Sequence, residues 1–431
     1  MTLVEWLNNA NVFYWEYIGV PFLIAFGSWL TYLTKGFQFR VLRHIFTQVK
    51  TFLIYTETKG HGGIHPLKLY FASVGGSIGI GNIVNVAAGF AIGGPGVLFW
   101  LWLASFMGML VKYSEIFLGI KYRIQKPDGF YNGGFMYVAQ HAFKSPLFGK
   151  FAAGLMCIYG CEVYQFSVVA ETVYQTYPIN KFAAIFSLLG LTIFSAIGGI
   201  RRLANICSVL MPIFLLIYIV LCLYVIGISY EKLPHLLATV FQSAFTGHAA
   251  VGGFIGSSFL ITMKEGVSRA VYAGDIGVGY DSMIQSETSA QDPRMQAKFS
   301  MISLFSNTFI CSLSILVVLC SGVWTTGCPH NFLVTETFHM HFRYAKDFMA
   351  VLLFLAGFTT IISFLTIGYK SATFISERWG KIVYSFYALP ALIVFSFCDN
   401  STPQTIMAFC SGLLLFINMF SIIKLHREIA F

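Results

Sequence analysis

Charge is scarce in this chain. Asp, Glu, Lys and Arg make up only 10% of its 431 residues, against 57% hydrophobic ones, too little charge to cover a soluble globule of this length. Other absences narrow the field further. No Lys or Arg precedes Lys35, so the first apolar run, 13–33, lacks the basic flank and small-residue cleavage site of a signal peptide and reads as a retained helix. The nine cysteines form no CxxC pair and mostly sit inside apolar runs, as Cys157, Cys161, Cys207, Cys222 and Cys311 do. They read as small buried hydrophobes, neither metal ligands nor a disulfide framework. The loop HGGIHP, residues 61–66, has two histidines but no Cys or carboxylate beside them, which argues against a metal site. No HExxH helix and no pair of catalytic aspartates lies in the apolar runs, which argues against an intramembrane enzyme.

What is present is a series of long apolar stretches. A hydrocarbon core takes roughly 20 apolar residues of helix to cross, and spans are expected at 69–92, 97–120, 151–173, 183–197, 203–228, 236–261, 299–323, 348–367, 382–397 and 405–425. With 13–33 that makes an all-α polytopic membrane protein of eleven transmembrane helices. Between the first two spans, the segment KGFQFRVLRHIFTQVK, 35–50, spaces Phe37, Leu42, Ile45, Phe46 and Val49 to suit a helix lying along the membrane face. The formal charge of +9 belongs to the loops. With the N-terminus outside, only Lys181, Lys232, Arg343 and Lys346 fall on the outer side and the remaining cations face the cytoplasm, as does the C-terminus, which is the positive-inside pattern. The basic balance therefore reports topology and excludes a nucleic-acid partner.

Glycine is concentrated where a membrane helix would least accommodate it. The stretch 75–96, GGSIGIGNIVNVAAGFAIGGPG, is lipid-apolar yet carries Gly75, Gly76, Gly79, Gly81, Gly89, Gly93, Gly94 and Gly96, and each interior glycine weakens a helix by ~1 kcal/mol relative to Ala. Gly75 and Gly79 are spaced as GxxxG, which close helix packing alone would explain. The other explanation is an interrupted helix, whose unwound backbone survives at membrane depth only where protein or a cavity satisfies it. A second glycine-rich stretch, FTGHAAVGGFIGSS at 245–258, favours interruption. Setting the first helix aside, ten spans divide into five in residues 68–230 and five in 231–431, after an N-terminal helix and basic segment in 1–67. An odd number per half inverts one half relative to the other. Paired broken spans opening two inverted halves point to the midplane site of a secondary transporter.

At these residues the chain resembles the alanine or glycine:cation symporter family, and the likeness runs through most of its length. Residues 76–123 carry it, with a Gly-x-Gly-Asn break, a Gly-Gly-Pro-Gly turn, a Trp-rich helix and a Lys-Tyr-x-Glu end. YNGGFMYV, Gln165, SAIGGIRRLANICSVLMP, FTGHAAVGGFIG and FTTII add to it. The resemblance implies a leucine-transporter-like five-plus-five fold and sodium-driven uptake of a small neutral amino acid across a bacterial inner membrane. Sodium is then the coupling ion, no organic cofactor is implied, and no obligate protein partner is evident. The chain departs from the family pattern at Ile80 (usually Thr), Asn85 (usually Gly), Ala273-Gly274-Asp275-Ile276-Gly277 (usually Ser-Asn-Glu-Ala-Gly) and Asn307-Thr308 (usually Asp-Thr). These departures keep two alternatives open, proton coupling and a non-transporting sensor on the same fold.

Roles follow residue by residue. Gly79, Ile80, Gly81 and Asn82 at the first break, Gln165 on the fourth span, and Gly252, Gly253 and Phe254 at the second break are expected to touch the substrate. Its carboxylate would meet backbone N–H groups at half-helix N-termini. Asn82, Asn307, Thr359 and Thr360 offer oxygens to a hard cation, although a threonine hydroxyl commonly bonds its own helix and Asn82 could simply cap the half-helix. Lys112 and Glu115, at i and i+3, read as a structural ion pair, and His248 as a structural imidazole. Glu162 stands where the family tends to have a neutral amide, one turn before Gln165. An intramembrane carboxyl marks an ion or proton path or is hydrogen-bonded structural glue, so it is a counter-charge for sodium, a titrating group, or a partner of Tyr159 or Tyr164.

Overall fold

The computed structural model describes residues 3–54, 62–127, 129–246, 259–397 and 401–431. Their backbone is almost wholly helical. In chain order the helices are α1 (Leu3–Phe13), α2 (Val20–Leu33), α3 (Phe37–Arg43), α4 (Ile45–Leu53), α5 (Pro66–Ser77), α6 (Val86–Gly93), α7 (Val97–Lys121), α8 (Phe135–Phe143), α9 (Pro146–Tyr159) and α10 (Val163–Thr176). They continue as α11 (Lys181–Ala196), α12 (Gly199–Ile228), α13 (Leu233–Thr246), α14 (Phe259–Gly274), α15 (Tyr280–Gln285), α16 (Pro293–Ser321), α17 (Leu333–His341), α18 (Ala345–Ile375), α19 (Gly380–Phe395) and α20 (Ser401–Leu425). A two-residue hairpin, β1 (Ile124–Gln125) with β2 (Tyr131–Asn132), is the one sheet among the described residues.

Among the described residues, six helices are long and apolar enough to cross a membrane, and two bent pairs bring the number to eight. Two shorter apolar helices, α11 and α19, accompany them. The remaining expected span, 236–261, runs through residues outside the described set. The first bent pair is the N-terminal helix and α3, which meet at 76°, so the basic segment turns sharply away from the span before it, as a helix along the membrane face would. The second is α5 and the Gly81–Gly93 segment, at 54°. That is the interrupted helix the glycines predict.

The buried centre is formed by α5, α7, α16 and α18. On α18 the side chains from Ala356 to Gly368 are buried without a gap, because apolar neighbours surround this helix on all sides. By contrast α12 presents Val209, Ile213, Leu216, Val220, Leu223 and Tyr224 to the outside, and Leu216 is 66% exposed. Apolar side chains in such numbers cannot face water, whereas lipid is their natural solvent. Small residues set the closeness of the central helices. A methyl group on Gly75 would lie 2.6 Å from Cys207 Sγ of α12, and one on Gly266 of α14 would lie 2.5 Å from Trp100 Cβ of α7.

Candidate functional site

The chain unwinds after Ser77. Ile78 is extended at φ −98° and ψ 91°, Gly79 and Ile80 follow, and Gly81–Asn85 forms a π-turn before α6 resumes. The freed backbone groups find side-chain partners. Gly79 N–H donates to Asn82 Oδ1 at 3.0 Å, and Ile80 N–H to Gln165 Oε1 at 3.1 Å. Asn82 Nδ2 donates in turn to Cys311 Sγ at 3.3 Å. Both amides are thus held at the break, as buried amides must be to offset lost hydration. Beyond the break, Tyr164 donates its hydroxyl to Asn85 Oδ1 at 2.8 Å, which ties the π-turn to α10.

Two further breaks face the first. The expected span 151–173 lies within one membrane-length segment, Pro146–Thr176, yet its helical pattern lapses between Tyr159 and Val163, where Glu162 has φ 44° and ψ 45°. A Cβ on Gly160 would lie 2.9 Å from the Phe364 carbonyl, so α9 runs close against α18 where the helical pattern lapses. The segment after α14 is broken too, with Asp275 at φ 46° and Gly277 and Gly279 also at positive φ. A left-handed conformation costs a non-glycine residue on the order of 1 kcal/mol. Glu162 and Asp275 are two of four non-glycine residues with positive φ among the described residues, and both are buried. Tyr159 donates its hydroxyl to Asp275 Oδ1 at 3.3 Å, and Glu162 precedes α10 three residues before Gln165. Asn307 Nδ2 donates to the carbonyls of both Ser77 and Ala273, clamping the first break to the third.

These breaks surround a cavity of about 1390 Å³ whose lining includes Ser77, Gly81, Asn82, Glu162, Gln165 and Asp275. Other expected site residues are placed differently. Ile80 does not line the cavity; its side chain is fully buried against α18, 2.9 Å from where a Cβ on Gly357 would stand. Gly79 is pressed between Gln165 and Thr360. Thr360 Oγ1 lies 3.2 Å from the Gly75 carbonyl and 3.1 Å from that of Ala356, whereas Thr359 Oγ1 bonds within its own helix and touches Met211 Sδ. Gly252, Gly253, Phe254 and His248 lie outside the described residues. Ser77 and Asp275 carry no expected role from the sequence, although Asp275 stands in the altered Ala-Gly-Asp-Ile-Gly stretch. Residues 75–79 also spell G-x-S-x-G, but Ser77 ends a helix and does not sit on the strand-to-helix turn that exposes a nucleophile.

The model of the sodium:alanine symporter family matches residues 1–430. This chain belongs to that family. An uncharacterised transporter of Bacillus subtilis, YflA, is 30% identical over 91% of this chain and 84% of its own length. The sodium/alanine symporter AgcS of Methanococcus maripaludis is 27% identical over 75% of this chain and 72% of its own. Among solved structures, MhsT in complex with L-phenylalanine superposes with a TM-score of 0.58 at 14% identity, covering 86% of this chain and 91% of that one. The fold is leucine-transporter-like, and the molecule is a multi-pass membrane transporter, not an enzyme.

In this symporter-family chain a set of buried polar contacts holds the α15 region in place. Lys112 does not pair with Glu115, as the i, i+3 spacing suggests, but with Asp281, and it also donates to the Gly274 carbonyl. Glu115 is occupied elsewhere, accepting from Ser282 N–H at 3.2 Å and Asn418 Nδ2 at 2.9 Å. Arg123 donates to the carbonyls of Ser286, Thr288 and Ala290, and Lys370 to Glu287 at 2.9 Å and Met283 O at 2.6 Å. Together they fix α15 and the residues that follow it. The cavity also reaches Glu171, Gln175, Glu336 and Lys346.

Proposed function

We propose that the chain imports a small neutral amino acid of the alanine or glycine type together with sodium, by alternating access between halves 68–230 and 231–431 in a bacterial inner membrane. The observation that carries this reading is Gly81. Nothing lies within 4 Å of where its Cβ would be, and it stands in the cavity wall at an unwound turn. A backbone bare of side chain presents N–H groups to a solute carboxylate, and Gln165 and Asn82 fix that backbone from either side. Oxygens for sodium come from Thr360, whose Oγ1 lies 3.2 Å from the Gly75 carbonyl, and from Thr359 beside it, a hard donor set suited to a hard cation. Asn307 holds the carbonyls of both halves and serves as a positioning residue. AgcS, described as a sodium/alanine symporter, supports both solute and ion.

With the basic loops inside, the α15 region held by Lys112, Arg123 and Lys370 is cytoplasmic, and Gln175 and Lys346, which the cavity reaches, are outer, so this conformation is outward-open. Purified protein in lipid vesicles, offered labelled amino acids under a sodium gradient, a proton gradient or neither, tests the reading. Accumulation of alanine or glycine only with sodium is expected. Accumulation of no amino acid under either gradient would refute it.

A further inference from the structure

The cavity wall holds two carboxyl groups with no cation assigned to them. Glu162 and Asp275 are 6% and 1% exposed and line the same cavity, and Tyr159, three residues before Glu162, hydrogen-bonds Asp275 at 3.3 Å. Among the described residues neither makes an ion pair. The nearby cations are engaged elsewhere, Lys112 with Asp281 and Gly274, and Arg269 with Glu265 at 2.7 Å. Glu115 is held by Ser282 and Asn418 and Asp281 by Lys112; Tyr159, Tyr164, Tyr272, Tyr280 and Cys161 are the other titratable groups that feel these two carboxyls. A second observation points to a ligand. Ser77, 6% exposed and in the cavity wall, has a hydroxyl oxygen without a hydrogen-bond partner. Its backbone is clamped by Asn307 to Ala273, two residues from Asp275. Buried carboxylates at membrane depth are kept where they meet a partner charge or a moving ion.

We infer that Glu162, Asp275 and Ser77 form a second cation site, separate from the Thr359–Thr360 hydroxyls, that binds one monovalent cation, sodium or a proton, in each transport cycle. The inference rests on the transporter reading above. It makes the number of positive charges moved per solute larger than the hydroxyl site alone would give. No bond is made or broken except, for a proton, the O–H of one carboxyl, taken from outer water and returned to inner water.

The test is the reversal potential of labelled alanine flux, or of glycine if that is the solute accumulated, in vesicles of set sodium, pH and voltage gradients. For the parent protein two cations per solute are expected. A reversal potential that follows sodium alone assigns the second ion as sodium, and one that follows sodium and pH together assigns it as a proton. Glu162→Gln should lower the ratio by one cation and remove any pH term. A parent ratio of one cation per solute would overturn the inference without reference to any variant. So would an unchanged ratio in a transporting Glu162→Gln protein. Failure of the parent to move any amino acid would instead count against the transporter reading.

Discussion

Single residues separate two uses of glycine that look alike in the sequence. Gly75, Gly76 and Gly79 are packing glycines. A Cβ on Gly76 would strike the Tyr280 hydroxyl, and one on Gly79 would lie 2.6 Å from Gln165 Oε1, because a buried ring and a buried amide lie directly on the chain. Gly81, two residues on, faces open space. We therefore expect Gly79→Ala to lower thermal stability in detergent by about 1–3 kcal/mol, the usual range for overpacking. Gly81→Ala should melt within about 1 kcal/mol of the parent, the glycine-to-alanine range. Equal melting temperatures for the Gly79→Ala variant and the parent would contradict the packing role. Gln165→Leu leaves Ile80 N–H buried without its acceptor, at a cost of about 1–3 kcal/mol. It should weaken solute binding as well as stability. An unaltered KM for uptake would show that Gln165 does not shape the site.

Elements show why part of this architecture was legible beforehand and part was not. The bend after Ser77 followed from glycines in an apolar run, since local composition alone weakens that helix. The lapse at Glu162 was not legible, because MCIYGCEVYQ has a single glycine and the close approach of α18 at Gly160 is a contact far away in sequence. Likewise Lys112 and Glu115 share a helix face, yet α15 brings Asp281 to the lysine and Ser282 N–H to the glutamate. Pairing across the fold overrides pairing along the helix. Ile80 faces α18 because the π-turn and the extended Ile78 rotate its side chain away from the cavity. Removing one partner of a buried ion pair costs about 3–5 kcal/mol. Lys112→Met should therefore cause a large drop in melting temperature, and Lys112→Met with Asp281→Leu should recover much of it. A double variant no more stable than Lys112→Met would mean the loss lies in the bond to the Gly274 carbonyl.

On the scale of the whole molecule, residues from three helix breaks line one cavity that reaches Gln175 and Lys346. The orientation can be read in intact cells. With Cys328 and Cys398 replaced by Ser, a membrane-impermeant maleimide should label Gln175→Cys and spare Arg378→Cys, which is exposed in the loop before α19. The reverse pattern would invert the proposed topology. The central claim is that a sodium-coupled amino acid occupies the space in front of Gly81. The most direct measurement is accumulation of labelled alanine and glycine under an inward sodium gradient in vesicles containing either the parent or Gly81→Leu protein, at matched incorporation. Sodium-dependent accumulation by the parent and its loss in a Gly81→Leu protein that inserts and melts like the parent is the predicted result. Equal accumulation by the two would contradict the claim.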